Sequence, residues 1–273
     1  MYFNLIDRSL IRVTGSDCLK FLNTQFTNNV LNMGVNSLQV NAYCQHQGKI
    51  QCLVWLINSN GNFYISVLIE LRDKLLTLLN KYKFFSDVDF EDVSSKIYQI
   101  GIADCHNPND LLIKDNLYLR LSNDISSINC SDHAEWEYQC IINLLPELNE
   151  INTEKHIPQM INLDLDEFGV SFSKGCYPGQ EVVARMHYLG KPKRRLFVLQ
   201  SSQFCQIGDK LISKESESLK ASGTVIRTTG TCINESQYIL AILEVKNLER
   251  EVYLENDPHT KLTIVNNPAY ALY

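Results

Sequence analysis

The sequence predicts an α+β fold followed by a β-rich C-terminal part. Two observations support this prediction. Residues 1–190 combine a meander of apolar runs with helical periods, and short β segments follow residue 195. Domains hold about 100 to 200 residues, so a chain of 273 residues suggests two or three of them. We place the boundary near Gly190, with two interleaved subdomains in residues 1–190 and a β-barrel domain in residues 191–273.

The first predicted elements are a strand, a short helix and an antiparallel meander. Residues 10–14 predict the strand, and Gly15-Ser16-Asp17 then opens a short helix that serine or aspartate can cap. Apolar runs separated by glycine-bearing turns predict the strands of the meander: 38–44, 50–57 and 63–68. Leucines recur at helical spacing in residues 70–82, so we expect a helix to pack on this sheet.

The later elements begin with strands and a helix and then consist only of short predicted strands. Residues 94–103 and 116–121 predict two more strands, and residues 132–145 predict a helix that carries Trp136. Short apolar runs with polar turns follow: 196–200, 209–213, 223–228, 237–245 and 261–265. Regularly spaced runs of this kind are typical of a small barrel or sandwich. The stretch KESESLK, residues 214–220, is predicted to be a solvated turn.

The composition is that of a globular protein. Hydrophobic residues make up 45% and charged residues 21% of the chain, which argues against a disordered or fibrous protein. The first residues lack a basic segment followed by an apolar run, and no window approaches the roughly 18 apolar residues of a membrane span. We therefore expect a cytoplasmic protein without a membrane partner. Nine cysteines include no CxxC pair, so buried reduced thiols are expected and a metal site is not.

The charge distribution limits binding to nucleic acid. A net charge of −6 argues against broad electrostatic adhesion to a phosphate backbone. One local basic run remains, formed by Lys191, Lys193, Arg194 and Arg195. It could bind tRNA directly, or it could be a hydrated strand that links two domains, and the second interpretation is favoured.

The stretch SFSKGCYPGQEVVAR, residues 171–185, places a cysteine in a glycine-bearing loop. Gly175 and Gly179 flank Cys176 and permit backbone conformations that are closed to other residues. Apolar residues at helical spacing then predict a helix over residues 179–189.

The predicted helix gives Cys176 a particular electrostatic setting. The thiol lies just ahead of the helix N-terminus, and the free N–H groups there, together with Lys174, favour a thiolate. Gly190 is placed to end the helix as its C′ residue. The pattern favours a reactive thiol at Cys176, and the alternative is a small buried hydrophobic side chain.

These residues carry a resemblance to a known family. The run IPQMINLDLDEFGVSFSKGCYPGQEVVARMHYLGKPKRRL, residues 157–196, resembles the signature of the YgfZ family, folate-binding relatives of the glycine-cleavage T protein. Its core, K-G-C-Y-x-G-Q-E-x-x-A-R, is long and specific. Weaker matches occur in VTGSDCLKFLNTQFTNNV, in AYCQHQGKI and at Trp136 ahead of Pro146.

The resemblance implies a T-protein-like fold, in which domains surround a central cavity that holds tetrahydrofolate or a derivative. Trp136 matches a family position that contacts folate, so it is expected to form a pocket wall, with core filling as the alternative. Trp55 lies in an apolar strand and is expected in the core. The position of a second folate-associated aromatic holds Arg8.

Further residues are assigned to the folate site by the resemblance. Gln25 and Asn28 are expected to present amides to the pterin edge, or else to cap the short helix. Arg185 is expected to pair with the glutamate tail of folate or with Glu181, one helical turn earlier. Glu181 and Tyr177 are expected to shape the site.

The residues at the T-protein catalytic position argue against an aminomethyltransferase activity. True T proteins carry an acidic pair soon after the hairpin glycines, whereas this chain has Gln51, Cys52 and Leu53. A neutral amide or thiol cannot replace the charge or proton chemistry of an acid. A tetrahydrofolate-dependent one-carbon transferase of the aminomethyltransferase kind is therefore only the alternative.

The function that the resemblance implies is that of a folate-binding accessory protein for iron–sulfur cluster assembly or repair. Its expected partners are iron–sulfur client enzymes such as a tRNA methylthiotransferase, and it is expected to be non-enzymatic. Cys176 is the key residue, through ligation of iron, transfer of sulfur or reaction with a one-carbon unit, and Lys174 could lower the pKa of its thiol or attract an anionic partner. No other cysteine lies at ligand-like spacing, so a stable cluster on this chain alone is not expected.

Overall fold

A computed structural model describes residues 1–104, 106–213, 222–247 and 250–266. In chain order the strands are β1 (Tyr2–Asn4), β2 (Arg8–Thr14), β3 (Ser37–Cys44), β4 (Ile50–Ser59), β5 (Asn62–Leu68), β6 (Asp89–Asp92), β7 (Tyr98–Ala103), β8 (Leu111–Lys114), β9 (Leu117–Ser122), β10 (Arg194–Ser201), β11 (Lys210–Ser213), β12 (Gly223–Thr228), β13 (Gln237–Glu244), β14 (Val252–Leu254) and β15 (Lys261–Asn266). The α-helices are α1 (Cys18–Gln25), α2 (Arg72–Asn80), α3 (His133–Ile142) and α4 (Gln180–Leu189). The predicted turn at 214–220 lies outside the described residues.

The first sheet contains the predicted meander. Its five strands have the order β3-β4-β5-β2-β6, and all neighbouring pairs are antiparallel. Helices α1 and α2 pack on one face of this sheet, where Phe21, Leu22, Leu75 and Leu79 join one buried cluster. The strands and both helices are thus confirmed, because each has an apolar period long enough to be recognised in the sequence.

The entry to α1 differs from the predicted cap. Asp17 occupies the N-cap position but makes no side-chain capping hydrogen bond. Its Oδ2 accepts a hydrogen bond of 2.9 Å from the backbone N–H of Asp87, and Asp87 in turn accepts from the N–H and hydroxyl of Ser16. The acidic side chains therefore join the start of α1 to the segment before β6 instead of capping the helix.

The second sheet is smaller and has the order β1-β7-β9-β8. Of the predicted strand at residues 94–103, only the second part forms β7, because Ser94 begins a turn in which its N–H and hydroxyl bind Asp92. The sequence patterns did not predict β1, β6, β8 or the barrel strand β14, which have three or four residues each. A strand of three or four residues is too short to show an alternation of apolar and polar residues.

The C-terminal strands form a closed barrel with the order β10-β13-β12-β11-β14-β15. The circle closes where β10 pairs with β15, so the barrel is confirmed and the sandwich is excluded for the described strands. The barrel begins at Arg194. The domain boundary near Gly190 stays a prediction.

The basic run at the start of the barrel is largely engaged within the protein. Arg195 binds both carboxylate oxygens of Asp164, at 2.5 and 3.0 Å, and Arg194 lies 3.3 Å from Glu244. Lys191 and Lys193 are exposed. Arg195 therefore joins the barrel to the preceding segment, whereas Arg194 pairs across β10 and β13 within the barrel, and both contacts agree with a structural role.

Most cysteines are buried, as expected. The eight described cysteines are free thiols, and five of them are buried: Cys18, Cys44, Cys52, Cys140 and Cys205. Cys130 is half-buried, whereas Cys176 and Cys232 are exposed. None of the helices within the described ranges has the length and hydrophobicity needed to span a membrane.

Candidate functional site

Cys176 lies on the surface, in the loop that precedes α4. The helix begins at Gln180, so its predicted position is confirmed and the thiol lies just ahead of its N-terminus. The side chain of Cys176 is exposed and lines a pocket of about 500 Å³, which we call the Cys176 pocket. The pocket is bounded by the end of α1, the β3–β4 turn and the start of α4.

Lys174 fixes one end of the loop. Its ammonium donates hydrogen bonds to the backbone carbonyls of Asn23, Phe26 and Asn28, at 2.5, 2.6 and 2.8 Å. The carbonyl of Asn23 lies in the last turn of α1 and that of Phe26 at its C-cap, where helix carbonyls lack partners and the helix dipole favours a cation, and Asn28 follows shortly after.

This contact changes the role expected for Lys174. The side chain is buried, and all three ammonium protons are engaged by carbonyls. Burial lowers the pKa of Lys174 to about 7, while the three carbonyls oppose that shift because they stabilise the ammonium. In place of an exposed cation that attracts an anionic partner, the structure shows a side chain that anchors the loop to α1.

Gly179 fixes the other end of the loop against the β3–β4 turn. Its φ is +83°, and a methyl group added there would lie 2.4 Å from the carbonyl oxygen of Gln45 and 2.9 Å from Cα of Gly48. Gly48 itself has a φ of +75°. The two glycines therefore allow the turn and the loop to pack backbone on backbone.

The other flanking glycine has no such constraint. A methyl group added at Gly175 would meet no atom within 4 Å, and its φ is not in the left-handed region. The expectation that both glycines shape the loop is therefore met only at Gly179. Anchored at Lys174 and at Gly179, the segment between them presents Cys176 to solvent.

Helix α4 is less buried than its apolar period predicts. Among the apolar residues on the predicted face, only Val183 is buried, and Leu189 is 83% exposed. Gly190 has an extended backbone with φ −133° instead of the left-handed C′ conformation, so that prediction is wrong. A side chain at Gly190 would meet Sδ of Met186 at 2.9 Å, which is a steric reason for glycine there.

Three of the predicted folate-site residues line the Cys176 pocket: Gln25, Tyr177 and Glu181. Gln25 is only 7% exposed, and its Oε1 has no hydrogen-bond partner among the described residues. Burial raises the pKa of the Tyr177 phenol well above its usual value, so the phenol stays protonated. Gln25 thus lines the pocket with a side chain whose amide oxygen is buried and has no partner among the described residues.

Two lining residues, His46 and Tyr82, were not identified from the sequence. His46 lies within AYCQHQGKI, a stretch that matches the family, so the sequence match could have identified it as a site residue. Tyr82 follows α2 and has no sequence feature that points to this pocket. Tyr82 reaches the lining of the Cys176 pocket only through the folding of the chain.

Asn28 and Arg185 are placed outside the lining of this pocket. The amide of Asn28 joins two segments, because its Nδ2 donates to the carbonyl oxygen of Phe168 at 3.3 Å and its Oδ1 accepts from the N–H of Asn29 at 2.8 Å. Arg185 is exposed on α4. For Asn28 the structure thus shows an internal crosslink where a pterin contact was expected.

Trp136 has a packing role in the structure. It is 2% exposed, and its ring lies so close to β7 that a methyl group at Gly101 would be 2.9 Å from it. Phe3 packs on the same ring, with centroids 5.4 Å apart. Phe3 and Gly101 are cross-strand partners on β1 and β7, so the buried ring packs on that face of the sheet, and Trp136 fills the core where a pocket wall was expected.

The position of the second expected aromatic is occupied by a buried cation. The guanidinium of Arg8 lies 3.7 Å from the ring centroid of Trp55, which is itself buried as predicted. Arg8 also donates to the hydroxyl of Ser66 at 2.8 Å and forms an ion pair with Glu147. This network makes Arg8 part of the core.

Residues 51–53, where the resemblance puts the acidic pair of true T proteins, carry no carboxylate themselves, and the neighbouring carboxylate of Glu154 is paired with Lys74 at 2.7 Å. The amide of Gln51 donates to Glu154 at 3.1 Å, and Cys52 and Leu53 are buried. Burial raises the pKa of Cys52 to about 12, so this thiol cannot serve as an ionised substitute at neutral pH.

Comparison with known proteins places the chain among bacterial relatives. It is 31% identical over 231 residues to an uncharacterized protein of Haemophilus influenzae, covering 82% of both chains. It is 27% identical to the tRNA-modifying protein YgfZ of Photobacterium profundum, covering 82% of this chain and 77% of that one. The corresponding protein of Vibrio atlanticus is 26% identical over 93% of this chain and 87% of its own length. No protein-family model matches the chain.

The fold has a counterpart among solved structures. The crystal structure of the glycine cleavage system aminomethyltransferase T from Bartonella henselae matches with a TM-score of 0.67 at 11% identity, covering 98% of this chain and 85% of that one. This match confirms the predicted α+β, T-protein-like fold. The solved structure shows that the chain has the fold of aminomethyltransferase T, and the relatives named tRNA-modifying protein YgfZ, which match over most of its length, place the chain in the YgfZ family.

Proposed function

We propose that this protein is a folate-binding accessory factor that supports iron–sulfur cluster assembly or repair, including that of tRNA-modifying enzymes, and that it acts through Cys176. The observation that carries the proposal is the exposed thiol on a doubly anchored loop, beside a pocket lined by Gln25, Tyr177 and Glu181. Relatives named tRNA-modifying protein YgfZ support the link to tRNA modification.

Cys176 is the thiol best placed for chemistry. Burial raises the pKa of Cys18 to about 11 and that of Cys52 to about 12, and it raises the pKa of Cys44 and Cys140 further. Those thiols stay protonated and inaccessible at neutral pH. Cys176 is accessible, and its loop is held in place at Lys174 and Gly179.

The Cys176 pocket fits a folate ligand in part. The rings of Tyr82 and Tyr177 line the pocket, and Gln25 would turn its unpaired Oε1 toward the cavity to accept from an N–H group on the edge of the pterin. The lining includes Glu181 and contains neither arginine nor lysine. The anionic glutamate tail is therefore expected to leave the pocket toward solvent, while bound tetrahydrofolate supplies a one-carbon carrier near the thiol.

The alternative, a one-carbon transferase of the aminomethyltransferase kind, has less support. The amide of Gln51 and the buried thiol of Cys52 provide no acid, and the carboxylate of Glu154 beside Gln51 is paired with Lys74. We therefore favour a non-enzymatic cytoplasmic factor whose partners are iron–sulfur enzymes such as a tRNA methylthiotransferase. Direct binding of tRNA is not part of the proposal, because Arg194 and Arg195 are already paired with carboxylates.

Cys176→Ser is expected to abolish the accessory function without changing the fold. The side chain is exposed, so the substitution removes only the thiol chemistry. The measurement is the methylthiolated nucleoside content of tRNA, by mass spectrometry, in cells that depend on this protein. We expect the content to fall to the level of cells lacking it. Cys232→Ser, at the other exposed cysteine, is the matched control, and full methylthiolation with Cys176→Ser would refute the role of this thiol.

Gln25→Leu is expected to weaken folate binding. The substitution keeps the bulk of the side chain and removes the acceptor, which costs about 0.5 to 1.5 kcal/mol of binding free energy. Isothermal titration with 5-formyltetrahydrofolate, a chemically stable reduced folate, measures the change. Gln139→Leu on α3, outside the pocket lining, should bind like the wild type. Equal affinity of Gln25→Leu and wild type would place the ligand elsewhere.

A further inference from the structure

A run of exposed aromatic side chains follows α2, at residues 82–85. Phe84 is 88% exposed, Phe85 is 95% exposed, and Tyr82 beside them is 48% exposed. We call these three residues the aromatic patch. The other large aromatic side chains that are exposed in the described part of the chain are separate in the sequence: Tyr98, Tyr188 and Phe204. Single apolar side chains on a surface need no explanation, whereas adjacent ones mark interaction sites.

The backbone holds the aromatic patch in a defined conformation. Lys83–Phe85 form a turn of 3₁₀-helix. The N–H of Tyr82 donates to the carbonyl oxygen of Leu79 at 3.1 Å, and the N–H of Ser86 donates to that of Lys83 at 2.9 Å. The two phenyl rings lie edge to face, with centroids 5.6 Å apart. Because the turn already orders the segment, a partner would bind the rings with little further loss of backbone entropy.

The aromatic patch is continuous with the Cys176 pocket, because Tyr82 lines that pocket. Phe85 follows Tyr82 by three residues, which is at most about 11 Å along the chain. A protein–protein interface of standard size covers about 800 Å² on each partner, which is a disc about 30 Å across. A protein that covers the mouth of the Cys176 pocket would therefore contact the aromatic patch as well.

The area and the charge of the aromatic patch limit the choice of partner. An aromatic side chain has about 200 Å² of surface, so the three rings together expose about 450 Å². A stable dimer of this chain would need about 800 Å² per partner. Within residues 81–89 the two lysines are balanced by two aspartates, and Lys83 lies 3.2 Å from Asp89. No surplus of positive charge remains there for a phosphate backbone, so these observations favour a transient protein partner with an apolar pocket.

We propose that the aromatic patch is the docking surface for the iron–sulfur client enzyme, which receives Phe84 and Phe85 in an apolar pocket on its own surface. This inference rests on the proposed function and adds the surface through which the client is held. In this arrangement the face of the client that carries its cluster lies over Cys176. A few aromatic anchors supply most of the binding energy of an interface, so the two phenyl rings are expected to carry most of the affinity.

Biolayer interferometry with the purified tRNA methylthiotransferase of the same cells as the probe tests the docking surface. The full chain is immobilised, either as wild type or with Phe84→Ser and Phe85→Ser together. We expect the double variant to bind at least about tenfold more weakly, since aromatic anchors dominate an interface. Phe204→Ser, at an exposed aromatic between β10 and β11, is the matched control and should bind like the wild type. Circular dichroism establishes that each variant is folded. If the double variant does not fold, Phe85→Ser alone decides the result.

Either of two results would overturn the docking surface. One is that the wild type and the double variant bind the methylthiotransferase equally, or that neither binds it. The other is a wild-type dimer in sedimentation velocity that dissociates in the double variant, because the patch would then belong to a second copy of this chain.

Cys176→Ser separates this inference from the proposed function. Docking does not use the thiol, so Cys176→Ser should bind the methylthiotransferase like the wild type although the accessory function is lost. If tRNA methylthiolation falls with Cys176→Ser while the double variant binds normally, the docking surface is wrong and the proposed function stands. If methylthiolation is full with Cys176→Ser while the double variant binds weakly, the role of the thiol is wrong and the docking surface stands.

Discussion

Gly179→Ala is expected to lower the free energy of unfolding by about 3 kcal/mol. The left-handed backbone at φ +83° costs about 1 to 2 kcal/mol once a Cβ is present. The added methyl group would also lie 2.4 Å from the carbonyl oxygen of Gln45, and overpacking of this kind typically costs about 1 to 3 kcal/mol. Urea denaturation followed by circular dichroism measures the change.

The matched control is Gly175→Ala, in the same loop. A methyl group there meets no atom within 4 Å, and the backbone is not left-handed, so the stability should stay within about 0.5 kcal/mol of the wild-type value. Equal stability of the two variants would show that the β3–β4 turn does not pack on the loop as described.

The long elements could be predicted from the sequence, and the shortest could not. Strands β3, β4 and β5 and helices α1 and α2 each show an apolar period over seven or more residues. Strand β1 has three residues and exists because it pairs with β7, a contact between positions about 100 residues apart. A local pattern cannot contain that information.

Only those features of the candidate site that depend on neighbouring residues in the sequence could be predicted. The helix that follows the loop could be predicted from the spacing of its apolar residues, whereas the exposure of Cys176 could not, because a small buried thiol remained the alternative. The role of Lys174 does not, because its acceptors are carbonyls of residues 23–28. The burial of Trp136 could not be predicted either, since helical spacing does not show which neighbouring element covers a given face.

Lys174→Met is expected to destabilise the protein by about 3 kcal/mol. Methionine keeps the apolar stem and removes the ammonium, so the carbonyls of Asn23, Phe26 and Asn28 lose a common donor in a buried place. Each buried polar group left without a partner costs about 1 to 3 kcal/mol, and part of this cost is recovered where water reaches the carbonyls. Urea denaturation measures the loss, and Lys191→Met, at an exposed lysine, should be close to wild type.

This substitution also separates the two roles considered for Lys174. An anchoring lysine predicts that Lys174→Met releases the loop, so that amide hydrogens near Cys176 exchange faster while the barrel is unaffected. If Lys174 only lowers the pKa of the thiol, Lys174→Met should leave the stability and the amide exchange unchanged. Cys176 should then react more slowly with a thiol reagent at neutral pH. Because the ammonium is enclosed by three carbonyls, we expect the first pattern. Wild-type stability with a slower thiol reaction would contradict the anchoring role.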